Sequence, residues 1–382
     1  MTDQAPPGAE LPGSRLSAFY KVRGAPASIE ARALAIAVEQ SVEMPLAAID
    51  DGAVLADIVG QVAAIEDCGD GWFDVRIDLA AATIGDDAGQ LINMLFGNTS
   101  LHDDVILHDI VAPESLLAAA FGGPHHGLEG LRQRAMAQGR ALTCSALKPQ
   151  GLPASKLAEL AFRLALGGLD FIKDDHGLAN QSYSPFSERV RACASAIREA
   201  AAISGCATRY APSLSGSYPE MERQLGIARD EGLDTVLIGP MIAGVSNFHA
   251  LRQANPDFAF LAHPTMTGAA RVSPILFAKL FRLFGADAVI FPNHGGRFGY
   301  SAATCAGISD ALRCVWDGLR PSAPAPAGGM TVRRAPEMLD FYGADVMLLI
   351  GGGLLEARDA ITATTADFVR AVAEHDYGGL RS

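Results

Sequence analysis

Gly167-Gly168-Leu169-Asp170-Phe171-Ile172-Lys173-Asp174-Asp175-His176 is a tight turn, a short apolar run and then four titratable side chains in a row. The run from 169 to 174 has the length of a buried strand, and polar groups collect only at its carboxyl end. An amphipathic stretch, Ala154–Leu166, precedes it, and another, Pro185–Ala202, follows. Moving outward, the same alternation repeats. Strand candidates fall at 141–148, 169–174, 208–214, 234–240, 258–263, 286–292, 323–328 and 345–350. Further helical stretches lie between them, among them Glu220–Arg229, Pro274–Phe284 and Ala303–Leu319. Strands that are apolar throughout suit a parallel sheet covered on both faces. Eight strand–helix units in this length predict a (β/α)8 TIM barrel over residues 135–382, with a doubly wound open sheet as the alternative. The seventh strand, Ala323-Pro324-Ala325-Pro326-Ala327, is the least regular, because proline donates no ladder hydrogen bond.

The amino-terminal third follows another pattern. Residues 1–14 are polar and rich in Pro and Gly, and are expected to form a flexible tail. A strand at 17–22, a helix from Ser28 through Val38, a strand at 72–77 and a helix at 88–95 predict an α+β domain of ferredoxin-like type over residues 15–123. Gly122-Gly123-Pro124-His125-His126-Gly127 reads as the linker to the barrel.

Composition narrows the function classes. The chain has 382 residues, is 49% hydrophobic and carries 40 Gly, which fits large cores joined by tight turns. Its formal charge of −13 argues against a nucleic-acid partner, which requires a basic surface. A local basic pocket for a small anion remains compatible with it. The six cysteines form no C-x-x-C pair and are read as reduced thiols of a cytoplasmic protein. No signal peptide is read at the amino terminus, and no apolar run approaches the ~20 residues of a membrane helix.

In a parallel barrel the chemistry gathers where strands end. Those positions hold Lys148-Pro149-Gln150, Lys173-Asp174-Asp175-His176, His263-Pro264, Asn293-His294-Gly295-Gly296-Arg297, Gly328-Gly329 and Gly351-Gly352-Gly353. Taken singly, a charged tetrapeptide is usually a solvated turn, and Gly-Gly is usually only a turn. Together these groups share one barrel mouth. Asp175 and His176 offer a carboxylate and an imidazole to a metal. Lys148 could serve as general acid or base if its pKa is lowered. Gly328, Gly329, Gly352 and Gly353 could present bare amides to a phosphate, with Arg297 adding a cation. A lysine at a strand end, such as Lys173, is expected to lie outside the core.

The motif GGLDFIKDDH at 167–176 resembles the GGLDFTKDDE signature of ribulose-bisphosphate carboxylase/oxygenase (RuBisCO) large subunits. Lys148-Pro149, 25 residues before Lys173, resembles that family's KP element, and Phe96-Gly97-Asn98 resembles its GN element. The two glycine clusters fall where the family binds a substrate phosphate. The resemblance spans nearly the whole chain in order. It implies that Lys173 is carbamylated by CO2 and, with Asp175 and His176, holds one Mg2+ per site. It implies that Lys148 is the acid/base lysine and that His263 is the histidine of the fifth barrel strand. It also implies a homodimer in which Asn98 and Glu39 reach the partner's site.

Departures from the family pattern point away from carboxylation. His176 stands where carboxylases have Glu, and Gln150 where they have a second lysine. Pro264 follows His263 where they have a phosphate-gripping Arg, and Arg297 stands where they have the CO2-positioning lysine. The resemblance is therefore to the RuBisCO-like (form IV) proteins, acting on a substrate with a single phosphate. It implies enolisation and 1,3-proton-transfer isomerisation of 5-methylthioribulose 1-phosphate in methionine salvage, without CO2 fixation. The alternatives are a 2,3-diketo-5-methylthiopentyl-1-phosphate enolase and a decarboxylase or transcarboxylase of a branched sugar-acid phosphate. A non-catalytic regulator is the alternative from another class.

Overall fold

A computed structural model describes residues 14–113, 116–316 and 318–378. All but the last residue of the expected tail at 1–14 lie outside the described residues. Two compact units are present. Of the described residues, the first comprises those up to Gly122, with Met266–Leu283 and those within 316–319; the second comprises Gly123–Thr265, Phe284–Val315 and those from Arg320 onward.

The first unit is built on an antiparallel sheet of β1 (Arg15–Arg23), β2 (Gln61–Gly69), β3 (Trp72–Ala80) and β4 (Val105–Val111), in the order β2-β3-β1-β4. Central β1 alternates strictly, burying Leu16, Ala18, Tyr20 and Val22. The helix Ile29–Glu39 covers the sheet through Ile29, Ala33, Ile36 and Ala37, the spacing of one helical face. A second helix, Ala88–Phe96, is capped by Asp87, which accepts from the Gln90 amide. The buried Tyr20 hydroxyl donates to the Leu95 carbonyl and ties that helix to the sheet. Strand β2 gave no sequence signal because it is an edge strand with no buried position.

The second unit holds β5 (Leu142–Leu147), β6 (Phe171–Asp174), β7 (Arg209–Ala211), β8 (Thr235–Ile238), β9 (Ala259–Ala262), β10 (Ala288–Pro292), β11 (Ala323–Ala327) and β12 (Met347–Leu349). Each lies within one of the eight segments expected from sequence. All the pairings are parallel and sequential, a bridge between Ser213 and Leu237 links β7 to β8, and β12 pairs with β5. The last strand pairs with the first and also packs beside β11 without a ladder, so the eight strands complete a ring, which an open doubly wound sheet does not do.

One seam follows directly from sequence. The amides of Ala323 and Asn293 make bonds between the β10 and β11 segments, so the alanine positions of β11 face β10. Pro324 and Pro326 then face β12 and have no N–H to offer. Strand β12 is β11's neighbour on that side, yet no ladder joins them. The irregular seventh strand is thus a strand with a donor on one side only.

The barrel interior is filled by alternate residues, among them Leu142, Cys144, Phe171, Leu237, Leu261, Ile290 and Leu349. The helix Gly127–Ala135 adds Leu128 and Leu131 to the same cluster. It is fixed by Asp287, whose Oδ1 accepts from the amides of His126 and Gly127 and whose Oδ2 accepts from the Phe260 amide. These contacts lie at the amino ends of β9 and β10, so the helix plugs the end of the barrel remote from Lys173.

Beside this plug, His125 has a buried Nδ1 without a partner among the described residues. Burial, followed by the nearby cations Arg252, His126 and Arg320, pushes its pKa down to about 4. The unfolded chain therefore takes up this proton first. Its contribution to stability is fully present above the unfolded value near 6.5 and is lost as pH falls towards 4. Thermal unfolding between pH 4 and 7 should show stability rising with pH, with His125 contributing to the rise. His125→Gln should flatten that rise; an unchanged slope in the variant would remove His125 as its source.

Candidate active site

The decapeptide 167–176 can be followed residue by residue into the barrel. A Cβ on Gly167 would lie 2.6 Å from Thr365 Cβ, so only glycine lets the helix Ile361–Glu374 approach this closely. Gly168 has φ +87°, a left-handed turn that favours glycine. Asp170 is clasped by Arg140 through two bonds of 2.7 and 2.8 Å, and it also accepts from the Thr143 amide. From there the strand alternates. Phe171 points into the barrel core, so Lys173 and Asp175 share its side, while Ile172 and Asp174 point outward.

Asp174 is a structural residue. Its carboxylate accepts from Arg189 Nε (3.0 Å), Tyr210 Oη (2.7 Å) and the Ser213 amide (3.1 Å). Arg189 and Asp174 are both 0% exposed at their side chains. Arg189 lies on the buried face of the helix Phe186–Ser204, between Phe186 and Val190. An arginine on an apolar stripe was the visible signal for this buried pair, and the sequence reading passed over it. Removing one partner of a buried pair leaves an uncompensated charge. Arg189→Met should cost roughly 3–5 kcal/mol by chemical denaturation; a loss under ~1 kcal/mol would show that Asp174 is not held this way.

Lys173 is 3% exposed, so it lies inside the core, contrary to the expectation for a strand-end lysine. Its alternation partner is Phe171, and the barrel closes around both. Its Nζ donates to the Asp174 carbonyl at 3.0 Å. Burial lowers its pKa; the charges of Asp175 and Asp174 oppose that shift, and the cation of Lys148 adds to it. Beneath it Cys144, on β5, is a neutral thiol whose pKa burial pushes up to about 12.

Lys148 follows β5 with the parity of Cys144 and Ala146, and so points into the same mouth. Its Nζ lies 2.6 Å from Asp175 Oδ1. His176 Nδ1 lies 3.4 Å from that same oxygen. Burial raises the pKa of Asp175, but hydrogen bonds from His176 and Lys148, with the Lys148 and Lys173 charges, outweigh it and hold the carboxyl well below the usual range. The His263 ring stacks on His176 with centroids 4.2 Å apart and planes 14° from parallel. Its Nδ1 lies 2.5 Å from Thr265 Oγ1. Burial first, then the Lys173 charge, drives the His263 pKa down to about 2, so this imidazole is neutral. Lys148, Lys173, Asp175, His176 and His263 thus form one cluster at the carboxyl ends of β5, β6 and β9.

The glycine loops form a second group. Gly328 and Gly329 have φ +81° and +90°. A Cβ on Gly296 would lie 2.0 Å from the Gly328 carbonyl, so the loops after β10 and β11 touch backbone to backbone. Arg297 donates its amide to Gly328 and lays its guanidinium over Phe298, 5.5 Å from the ring centroid. The side chain of Arg297 is at the surface. Gly352 opens the short helix Gly352–Leu355, with nothing within 4 Å of its Cβ position, while Gly353 approaches the Met330 carbonyl. The first amides of such a turn have no acceptor within the helix. Gln150, itself exposed, lies over Gly177, just past His176.

Asn98 and Glu39 belong to the first unit. Asn98 Nδ2 donates to Glu39 Oε1 at 2.8 Å and to Glu43 Oε1 at 2.9 Å. Glu43 was not singled out from sequence; its φ of +51° marks it as unusual only once the backbone is known.

The donor set fits a divalent cation only if Lys173 contributes. Among the described residues no group of three or more His, Cys, Asp or Glu side chains converges on a point. Asp175 and His176 supply one oxygen and one nitrogen donor, and the buried Lys173 amine is the third group on the same mouth. No helix among the described residues is long and apolar enough to cross a membrane.

Residues 127–298 match the family of the ribulose bisphosphate carboxylase large chain, catalytic domain. The chain is 59% identical over 361 residues to the 5-methylthioribulose-1-phosphate isomerase of Rhodospirillum rubrum, covering 94% of this chain and 96% of that one. It is 53% identical over 362 residues to ribulose bisphosphate carboxylase-like protein 1 of Rhodopseudomonas palustris, covering 94% and 98%. The crystal structure of a RuBisCO-like protein from Rhodopseudomonas palustris superimposes with a TM-score of 0.88 at 50% identity, covering 96% of this chain and 99% of that one. With this breadth of likeness laid over the KDDH mouth, the chain belongs to the RuBisCO large-chain family, among its RuBisCO-like members.

Proposed function

We propose that this chain is an isomerase of 5-methylthioribulose 1-phosphate that works through an enediolate and fixes no CO2. The observation that carries the reading is the 59% identity, over 94% of the chain, with an isomerase of that substrate. The geometry of the mouth supports it. Lysines, one carboxylate and two imidazoles converge at the ends of β5, β6 and β9.

The lowered pKa of Lys173 favours its neutral amine, the form that attacks CO2 and loses a proton to become a carbamate. In that form Lys173 would add an oxygen donor to Asp175, giving two oxygens favourable to one Mg2+ beside the less favourable nitrogen of His176. A bound divalent cation would polarise the substrate ketone and its neighbouring hydroxyl. Lys148 exchanges a proton with the substrate carbon or oxygen beside Asp175. A proton leaves the carbon next to the ketone and is returned at another carbon, so the atoms are conserved and no oxidant is needed. His263, kept neutral, orients the sugar hydroxyls without adding charge. The amides of Gly328, Gly329, Gly352 and Gly353 receive the phosphate, and Arg297 adds a cation from the surface. Asn98 and Glu39 complete the site across a homodimer. The setting is cytoplasmic, as a methionine-salvage step requires.

The test is direct. Purified protein with Mg2+, bicarbonate and 5-methylthioribulose 1-phosphate in D2O should give an isomeric product carrying deuterium, followed by NMR. Absence of both turnover and exchange would sink the reading.

A further inference from the structure

A groove of about 320 Å³ opens off Lys148 on the outer side of the barrel mouth. One wall is a stripe of the helix Ala154–Leu166 carrying Lys156, Glu159, Leu160 and Arg163, spaced three and four residues apart. The facing wall is the segment holding Leu355, Arg358 and Ile361. The lining therefore has four cations, Lys148, Lys156, Arg163 and Arg358, against one carboxylate, in a chain whose formal charge is −13. Such a local reversal of sign concentrates the field on an anion.

Two of the four cations already have carboxylate partners, and the two arginines are held differently. Lys156 pairs with Glu159 at 2.9 Å and Lys148 with Asp175. Arg163 donates to the carbonyls of Arg358 and Asp359 at 2.7 and 2.9 Å, so its guanidinium is positioned yet keeps its full charge. The charge of Arg163 also acts on Glu159, one helical turn away and already bonded to Lys156. Arg358 sits at φ +45°, a left-handed conformation that is strained for a non-glycine residue. The turn that holds it there is the one Arg163 pins. Between the arginines the lining is apolar, from Leu152, Leu160, Leu355 and Ile361.

We propose that this groove is an anion-binding subsite for a phosphate monoester, separate from the glycine amides of the mouth. The two arginines take the phosphate oxygens, since the planar guanidinium matches that geometry, and the leucine lining covers the ester's carbon arm. The inner end of the groove is Lys148, so an occupant there competes with Asp175 for the same ammonium group. Binding in the groove is thereby coupled to the catalytic mouth, and it stands or falls independently of which sugar phosphate is turned over.

Calorimetric titration of the full-length protein tests this without turnover. The probes are inorganic phosphate and n-butyl phosphate. The wild type is expected to bind two phosphates per chain, one at the glycine loops and one in the groove. Butyl phosphate should bind the groove severalfold more tightly than inorganic phosphate, which separates an ester ligand from free phosphate. Arg163→Gln with Arg358→Gln should abolish one of the two sites or weaken it at least tenfold. Arg358→Gln alone, which leaves the Arg163 bonds to the turn intact, guards against a variant that does not fold. Phosphate binding that is unchanged in both Arg358→Gln and the double variant, whether at one site or two, would overturn the proposal. Equal affinities for the two probes would overturn the ester and leave a simple anion, contrary to the claim made.

Discussion

Lys173→Ala is expected to lower kcat/KM more than ~100-fold in a protein that still folds. Losing an outer partner of a metal ligand ordinarily costs 10–100-fold, so losing Lys173, proposed as a direct ligand, should cost more. The stability expectation rests on two opposing terms. Lys173 is 3% exposed, and removing its stem leaves a cavity under the mouth, which alone costs a few kcal/mol. The same change removes a buried polar amine whose Nζ is held by a carbonyl rather than by a carboxylate. Relief of that desolvation offsets the cavity. The net change should stay within ~2 kcal/mol, a shift of a few degrees in Tm for a chain of this size. Circular dichroism and thermal melts check the fold. Melts with Mg2+ and bicarbonate check the ligand role, because a native-state ligand raises Tm. The wild type should respond and Lys173→Ala should not. A variant that kept Mg2+-dependent activity would end the carbamate assignment.

The barrel was legible because its strands are buried on both faces and end in punctuation. Leu142–Leu147 and Thr235–Ile238 are buried at every position, and a continuous apolar run of that length admits few other readings. Even the Ala-Pro-Ala-Pro-Ala strand was visible, since its prolines cost it one seam and no more. Edge strand β2 was not legible, because an exposed ribbon carries no alternation to detect. The depth of Lys173 was hidden for a different reason. Sequence shows that a residue ends a strand, but only the closed ring shows that the end lies inside it. The roles of the two aspartates also separate only in three dimensions. Asp174 and Asp175 are chemically identical neighbours, yet period-two alternation sends one to Arg189 behind the sheet and the other to Lys148 in the mouth. The stacking of His176 on His263 joins residues 87 positions apart on β6 and β9 loops, and no local pattern announces it.

Lys148→Met should separate chemistry from metal binding. The side chain keeps its length and loses its charge and proton. A positioned acid or base contributes ~10²–10⁴-fold, so kcat should fall by that factor, while KM should change much less. The ion pair fixes the sign of the effect on the metal. Lys148 Nζ lies 2.6 Å from Asp175 Oδ1, where it competes with any cation for the carboxylate. Removing it frees Asp175, so Mg2+ should bind as tightly as in the wild type or more tightly. The acidity of Asp175 should move the other way. The Lys148 hydrogen bond and charge help hold that carboxyl below its usual range against burial, so the variant's carboxyl should protonate at higher pH. Magnesium-dependent thermal shifts across pH and steady-state kinetics together read all three quantities. A fall in kcat accompanied by loss of Mg2+ binding would mean that Lys148 organises the ligand set rather than moving the proton. Unchanged kcat would show that the proton is carried by another group, with His176 the remaining exposed base beside Asp175.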